Sequence, residues 1–182
     1  MKQLLLALLA AVSLTLMGQA QAQTTPPEKL AAYAFMSGAW LATTEAVDPA
    51  TGEWTAQMPS YVTVDTDLGG AVYAMRGPLP YRGRYIAAIS YFTYDSFNDV
   101  YRVALMGHRF GLLDVFEGQF AEGVLTASNA ATGSASPDGA GGVYISRLRL
   151  EPTADGFQLL AELSHDDGAS WSPIFRTRYT HD

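Results

Sequence analysis

The three histidines of this chain, His108, His165 and His181, are its most direct candidates for metal or haem chemistry. Their spacing matches none of the H-x-H, H-x-x-x-H or H-E-x-x-H patterns that bring two imidazoles to one metal ion. His165 falls in a predicted turn and His181 beside the C-terminus, so solvent exposure is expected for both. His108 follows a predicted strand among apolar residues, and a single histidine is enough to ligate haem iron. We therefore keep His108 as a candidate haem ligand, with a histidine at the rim of a hairpin as the alternative.

Groups for nucleophilic or acid–base catalysis are not apparent. The chain contains no cysteine and no G-x-S-x-G motif, and its scattered glycines form no phosphate-binding loop. Carboxylate pairs such as Asp65 with Asp67 and Glu151 with Asp155 fall at predicted strand ends and turns, where aspartate commonly bonds the backbone. These patterns favour a ligand-binding or structural protein over an enzyme. An enzyme stays an alternative, since one fold can carry many chemistries.

Aromatic and arginine side chains give the strongest indication of a ligand. Nine of the eleven basic residues are arginines, all between Arg76 and Arg178. A weakly hydrated guanidinium suits a cavity better than an ammonium does, although a compositional bias of the genome explains the same counts. Tyrosines cluster on two neighbouring predicted strands. The predicted ligand-binding residues are Tyr91, Tyr94, Arg102, His108 and Arg147.

Residues 1–22 predict an export signal that is cleaved after Ala22. A short positive region is followed by an apolar run from Leu4 to Met17 and by the A-x-A site Ala20-Gln21-Ala22. The apolar run is shorter than the roughly 20 residues that span a bilayer, and no cysteine follows it to carry a lipid. We expect residues 23–182 to form one mature domain in the periplasm or outside the cell.

The charge of this mature domain bears on its partners. Without Lys2, ten basic side chains stand against eighteen acidic ones, a net charge (10 − 18) near −8. Such a charge disfavours nucleic acid as a partner. No later segment is long and apolar enough for a membrane-spanning helix, and the sequence indicates no oligomeric state.

The elements that must position these residues are mostly strands. A short helix is predicted from Pro26 to about Phe35, ended by Ser37-Gly38. After Trp40 the apolar period changes to two, and turn-forming residues recur about every 8–12 residues, which is typical of a sandwich or barrel. Hairpins joining about ten strands favour an all-β, antiparallel up-and-down barrel, because closure removes both edges. Predicted strands are Ala39–Val47, Trp54–Asp65, Ala71–Met75, Arg84–Thr93, Val100–Met106, Leu112–Phe116, Val124–Ser128, Val143–Glu151, Phe157–Ser164 and Trp171–Thr180, with a loop at 130–142.

The placement of Gly38-Ala39-Trp40 after the helix and at the first strand resembles the calycin (lipocalin-like) superfamily. With the Gly69-Gly70 and Tyr94-Asp95 turns, the chain is most similar to a family of secreted bacterial lipocalin-like domains of unknown function. The resemblance implies that Trp40 plugs the closed end of the barrel. It also implies that a basic residue of the last strand, Arg176 or Arg178, packs on that tryptophan through a cation–π contact.

The segment from Ser164 to Trp171 fits the S-x-D-x-G-x-[TS]-W pattern known as an Asp-box. This pattern recurs in sialidase propellers once per blade, whereas here it occurs once, so we interpret it as a structural hairpin between the last two strands.

The sequence lacks the Arg-x-Tyr pair with which some calycin-like barrels hold a fatty-acid carboxylate. The last strand contains Arg176-Thr177-Arg178-Tyr179, in which Arg178 and Tyr179 are adjacent and therefore lie on opposite faces of the strand. This arrangement disfavours the binding of a fatty-acid carboxylate in that way.

Three hypotheses about function follow. The first is a secreted barrel that binds a small apolar or amphipathic molecule without catalysis, in a cavity left between tyrosines and alanines. The second is a haem-binding barrel using His108. The third is a structural or interaction module whose barrel is filled by its own side chains, and the sequence leaves a cavity and a filled interior equally open.

Overall fold

The computed structural model describes residues 27–81, 84–107, 111, 113–134, 136–137 and 142–181. The predicted export signal and His108 lie outside these residues. The predicted helix is present in two parts, α1 (Pro27–Leu30) and a 3-10 helix (Ala31–Met36), and a short 3-10 turn spans Leu68–Gly70. The strands are β1 (Gly38–Val47), β2 (Trp54–Ala56), β3 (Ser60–Asp67), β4 (Val72–Tyr81), β5 (Arg84–Asp95), β6 (Val100–Gly107), β7 (Leu113–Ala121), β8 (Val124–Ser128), β9 (Ser136–Pro137), β10 (Val143–Thr153), β11 (Gly156–Ser164) and β12 (Ser172–Thr180).

Ten of these strands form a closed antiparallel ring, which confirms the predicted barrel. Their order is β12-β1-β3-β4-β5-β6-β7-β8-β10-β11, and β11 pairs back with β12. β2 is a short addition to β1, and β9 is a short addition to β10. The predicted strand Trp54–Asp65 is thus two strands, interrupted around Pro59, whose missing N–H cannot contribute to a ladder.

The connections between antiparallel neighbours alternate between the two ends of the barrel. One end carries both N-terminal helical segments and the tight hairpins at 67–72, 95–100, 121–124 and 153–156. We call it the helix end. The opposite end carries the longer connections at 47–60, 107–113, 128–143 and 164–172, together with the connection between Tyr81 and Arg84, and we call it the loop end.

The Asp-box is a hairpin of the loop end, as the sequence interpretation expects. The Asp166 carboxylate accepts hydrogen bonds from the Ser164 hydroxyl at 2.7 Å, the Ser170 hydroxyl at 2.6 Å and the Ser170 N–H at 2.9 Å. Gly168 has a φ of +88°, which suits glycine. The Trp171 ring lies against the outer wall, with the Arg147 guanidinium 4.3 Å from its centroid.

Because the Asp166 carboxylate organises this hairpin, we expect Asp166→Asn to lower the melting temperature modestly near neutral pH. The hydrogen bonds from Ser164 and Ser170 lower the pKa of Asp166 to about 2. A carboxyl with a lowered pKa stabilises the fold above its unfolded pKa, and this stabilisation disappears as the pH falls through the folded value. The difference in melting temperature between variant and wild type should therefore shrink between about pH 4 and pH 2. Circular dichroism melts across that range test this, and a constant difference contradicts it.

Candidate functional site

The two halves of the barrel interior differ in how their side chains pack. Cross-strand partners lie on one face of a sheet, so the register of the strand pairs identifies the inward residues from strand to strand. In the helix-end half these residues are large and buried. The set comprises Trp40, Val64, Tyr73, Phe92, Tyr94, Tyr101, Val103, Phe116, Leu125, Leu150, Phe157 and Tyr179.

In the loop-end half, inward positions are mostly small, and many are partly reached by solvent. Gly77, Ala88 and Gly107 are partners in one row across β4, β5 and β6. The buried side chains of Val62 and Ile86 occupy the space beside Gly77 and Gly107, respectively. The inward residues with intermediate exposure include Ala46, Ser60, Gly77, Ala88, Ser90, Leu105, Gly107, Ser146, Leu163 and Phe175. The barrel therefore has a packed floor at the helix end, and several inward residues above that floor are partly exposed to solvent.

Tyr33 of the 3-10 helix forms the centre of the floor. Its ring is fully buried and lies 5.3–6.1 Å from the rings of Tyr73, Phe92, Tyr101 and Phe120, on four successive strands. The hydroxyl is on the far side of the ring from the helix, so it lies deeper in the barrel. It has no hydrogen-bond partner among the described residues, and burial raises the pKa of Tyr33, which keeps the phenol neutral.

Since a buried hydroxyl without a partner is unfavourable, we expect Tyr33→Phe to leave the free energy of unfolding unchanged or to raise it by about 1 kcal/mol. The four ring contacts survive this change. Tyr33→Ala removes them and should lower the free energy of unfolding by about 4 kcal/mol. Urea unfolding followed by circular dichroism measures both. A loss above about 1 kcal/mol in Tyr33→Phe would show that the hydroxyl has a partner.

Trp40 closes the helix end, as its position in the Gly-x-Trp motif implies. The side chain is 4% exposed, and its indole N–H donates a 2.7 Å hydrogen bond to the Met36 carbonyl. The ring stacked on it belongs to His181, with centroids 4.0 Å apart and planes 27° apart. Phe157 meets the indole edge-on at 5.0 Å.

The two arginines expected against Trp40 lie on the outside of β12. Thr177 and Tyr179 of this strand are buried, so Arg176 and Arg178 take the alternate, outward parity. Arg176 bonds Glu45 at 2.6 Å and lies 4.6 Å from the centroid of the Trp54 ring. Arg178 pairs with Asp155 at 3.1 Å. His181 thus packs on Trp40, where the resemblance to the calycin superfamily implied an arginine.

The four described residues among the predicted ligand-binding set do not come together. Tyr91 faces outward, since its partners Ala74 and Ala104 alternate with the inward set. Tyr94 faces inward but lies in the floor, where a hydrogen bond to Asp99 raises its pKa to about 12. Arg102 and Arg147 are outward as well: Arg102 pairs with Asp95 and Glu117, and Arg147 with Glu162 at 2.8 Å.

The inward surface of the loop-end half contains a polar cluster that sequence reasoning missed. Asp114 is the cross-strand partner of Leu105 and lies two residues before buried Phe116, so it occupies an inward position. It accepts hydrogen bonds from the Ser134 hydroxyl at 2.6 Å and from Asn129 Nδ2 at 3.1 Å. The parity of β7 was the available signal, because an aspartate two residues before a core phenylalanine shares its face.

Asn129 and the loop after it hold Asp114 in place. Asn129 is fully buried, and its side-chain oxygen accepts the Ser146 N–H of β10 at 2.6 Å. Thr132 donates to the Val115 carbonyl at 2.6 Å, so the 129–134 segment is bonded to β7 where β8 has ended. Burial raises the pKa of Asp114, although hydrogen bonds from Ser134, Asn129 and the Val115 N–H oppose that shift. The candidate site is thus the inward surface of the loop-end half, with one buried carboxylate in it.

Comparisons with known proteins add no assignment: no family model matches the sequence, and no curated protein matches it. The closed antiparallel ring of ten strands is compatible with the calycin-like architecture. Within the described residues, no group of three or more His, Asp or Glu side chains is arranged to hold a metal ion. The part of the chain that the structure describes also contains no helix long and apolar enough to cross a membrane.

Proposed function

We propose that the protein binds a small amphipathic molecule in the loop-end half of its barrel. The single observation that carries this proposal is the contrast between a floor of buried aromatic residues and a loop-end half in which inward Ala88, Ser90 and Ser146 are partly exposed to solvent. A barrel of this strand number that is filled by large side chains has no room for a ligand, whereas small inward side chains leave space.

The composition of the wall supports an amphipathic ligand. Leu105, Leu163 and Phe175 offer apolar surface for a hydrocarbon portion. Ser90 and Ser146 are inward on β5 and β10 and offer hydroxyl groups. Cavities that bind small molecules are mostly apolar, with a few polar groups that fix orientation.

The binding test uses two neighbouring alanines on β5. Ala88 faces the cavity, whereas Ala87 is exposed on the outer face. With the neutral dye N-phenyl-1-naphthylamine, the wild type should enhance fluorescence. Ala88→Trp should weaken the affinity at least about tenfold, and Ala87→Trp should leave it unchanged.

Two outcomes would overturn the proposed function. One is a wild-type protein that neither binds the dye nor retains a small molecule in native mass spectrometry of material purified from its own host. The other is an equal loss of dye binding in Ala88→Trp and Ala87→Trp, which would locate the dye outside the barrel.

We further propose that binding takes place after export, from the signal-like residues 1–22. Expression of the full chain in a bacterium, followed by cell fractionation and intact mass, tests this. The expected product begins at Gln23 and leaves the cytoplasm. A full-length product retained in the cytoplasm would contradict the proposal.

A further inference from the structure

Asp114 is the one charged residue at an inward position among the barrel-strand side chains that the structure describes. It shares its cross-strand row with Met75, Ser90 and Leu105, which all face the interior. The arginines with described side chains, Arg76, Arg102, Arg147, Arg149, Arg176 and Arg178, all take the opposite parity on their strands. The described wall of the cavity therefore has a negative charge without a positive one.

The carboxylate of Asp114 is also buried without a cation. Asp114 is 7% exposed, and no lysine, arginine or histidine within the described part of the chain forms an ion pair with it. Glu162 makes the contrast clear: it is similarly buried at 8%, on the outer wall, and is bonded by Arg147 at 2.8 Å. Buried charges in proteins are normally paired, because removal from water disfavours the ionised form.

The hydrogen bonds to Asp114 leave room for another donor. Oδ1 receives the Ser134 hydroxyl at 2.6 Å and Asn129 Nδ2 at 3.1 Å. Oδ2 receives a longer 3.4 Å contact from Asn129 Nδ2, and the Val115 N–H also bonds the carboxylate, so three groups of the described residues donate to Asp114. An ionised carboxylate offers about four acceptor sites on its two oxygens, so Oδ2 can accept a charged N–H donor without breaking the Ser134 bond.

We propose that Asp114 Oδ2 binds the ammonium group of a cationic amphiphile, a primary aliphatic amine whose hydrocarbon chain packs on the apolar wall. This inference rests on the proposed function and names the chemical class of its ligand. A charge-assisted hydrogen bond is about twice as strong as a neutral one, and the ligand would supply the cation that the described wall lacks. A fatty-acid anion would instead bring a second negative charge beside Asp114, and like charges in a dry site repel strongly.

The test compares three ligands with the same alkyl chain: dodecylamine, dodecanol and dodecanoate. Their affinities are measured near neutral pH, at monomeric concentrations, by displacement of N-phenyl-1-naphthylamine. The variants are wild type, Asp114→Asn and the matched control Glu117→Gln, which removes a carboxylate from the outer face of the same strand. We expect the wild type to bind dodecylamine at least about tenfold more tightly than dodecanol, and dodecanoate least tightly.

Asp114→Asn should reduce dodecylamine affinity to that of dodecanol and leave dodecanol unchanged, while Glu117→Gln should alter neither. Equal affinities of the wild type for amine and alcohol would overturn this inference while sparing the proposed function. So would an Asp114→Asn variant that keeps the preference for the amine. Failure of the wild type to bind either ligand would overturn the proposed function itself. Should Asp114→Asn fail to fold, the wild-type ratio of amine to alcohol affinity still decides the matter.

Discussion

Trp40→Ala is expected to lower the free energy of unfolding by about 4 kcal/mol, the usual range for truncating a buried tryptophan. The variant loses the stacking with His181 and the edge contact with Phe157. It also leaves the Met36 carbonyl without the indole N–H, at the point where the 3-10 helix joins β1. Because most single domains are stable by only about 5–15 kcal/mol, such a loss should be visible as partial unfolding at physiological temperature.

Guanidinium unfolding followed by circular dichroism measures this loss, and two variants serve as controls. Trp40→Phe keeps an aromatic ring in the floor and should lose only about 1–2 kcal/mol, chiefly the hydrogen bond and part of the contact area. Trp54→Ala removes a tryptophan that lies on the outer wall, 36% exposed and against Arg176, and should lose less than about 1 kcal/mol. Similar losses in Trp40→Ala and Trp54→Ala would contradict the closing role of Trp40.

The second large effect concerns Gly118 of β7, the cross-strand partner of Ala127 on β8. A Cβ atom at this position would lie 2.1 Å from the Thr126 carbonyl oxygen and 2.5 Å from the Ala127 Cα. These are backbone atoms and cannot turn away as the end of a side chain can. We therefore expect Gly118→Ala to lower the free energy of unfolding by about 3 kcal/mol, at the upper end of the overpacking range.

Gly107→Ala is the matched control on the neighbouring strand. Its Cβ would meet only the Ile86 Cδ1 atom, at 3.0 Å, and that methyl group can rotate aside. Alanine lowers the conformational entropy of the unfolded chain, and this stabilising effect offsets the unfavourable energy of the close contact with Ile86. The free energy of unfolding should therefore change by less than about 0.5 kcal/mol. Chemical denaturation measures both glycine variants. A Gly118→Ala protein as stable as Gly107→Ala would contradict the close approach.

The sequence was sufficient for the architecture because turn chemistry and the two-residue period agree throughout the chain. The hairpins at Asp95–Asp99 and Thr153–Gly156 were predictable from aspartate, asparagine and glycine alone. The interruption of the strand at Pro59 could also have been predicted, since proline rarely occurs within a central strand. The structure was needed for the strand limits, for the division of Trp54–Asp65 into β2 and β3, and for the short β9 within the predicted 130–142 loop.

The faces of the strands were harder to assign, and the ligand-binding residues depend on them. Both faces of β5 are apolar, so the pattern alone cannot say whether Tyr91 or Phe92 is inward. The structure resolves this through register, because Phe92 is the partner of buried Tyr73 and Val103. Arg147 lies between Ser146 and Leu148 on β10, and the alternation with buried Leu150 indicates an outward side chain. Asp114 escaped notice because its burial depends on Asn129 and Ser134, which lie 15 and 20 residues further along the chain and meet it only after β7 and β8 have paired.

The pairing of β1 with β12 has a consequence for biosynthesis. Residues Leu41 to Ala46 pair with Phe175 to Thr180, so the seam of the ring joins residues that are 129 (175 − 46) to 139 (180 − 41) positions apart in sequence. A nascent chain still held by the ribosome or a translocation channel cannot complete this seam until the Phe175–Thr180 segment has emerged. Until then β1 presents an unpaired edge that can recruit other chains. Contacts this remote along the polypeptide also slow the search for the native pairing, so the newborn protein should depend on holding chaperones more than a helical protein of its size does.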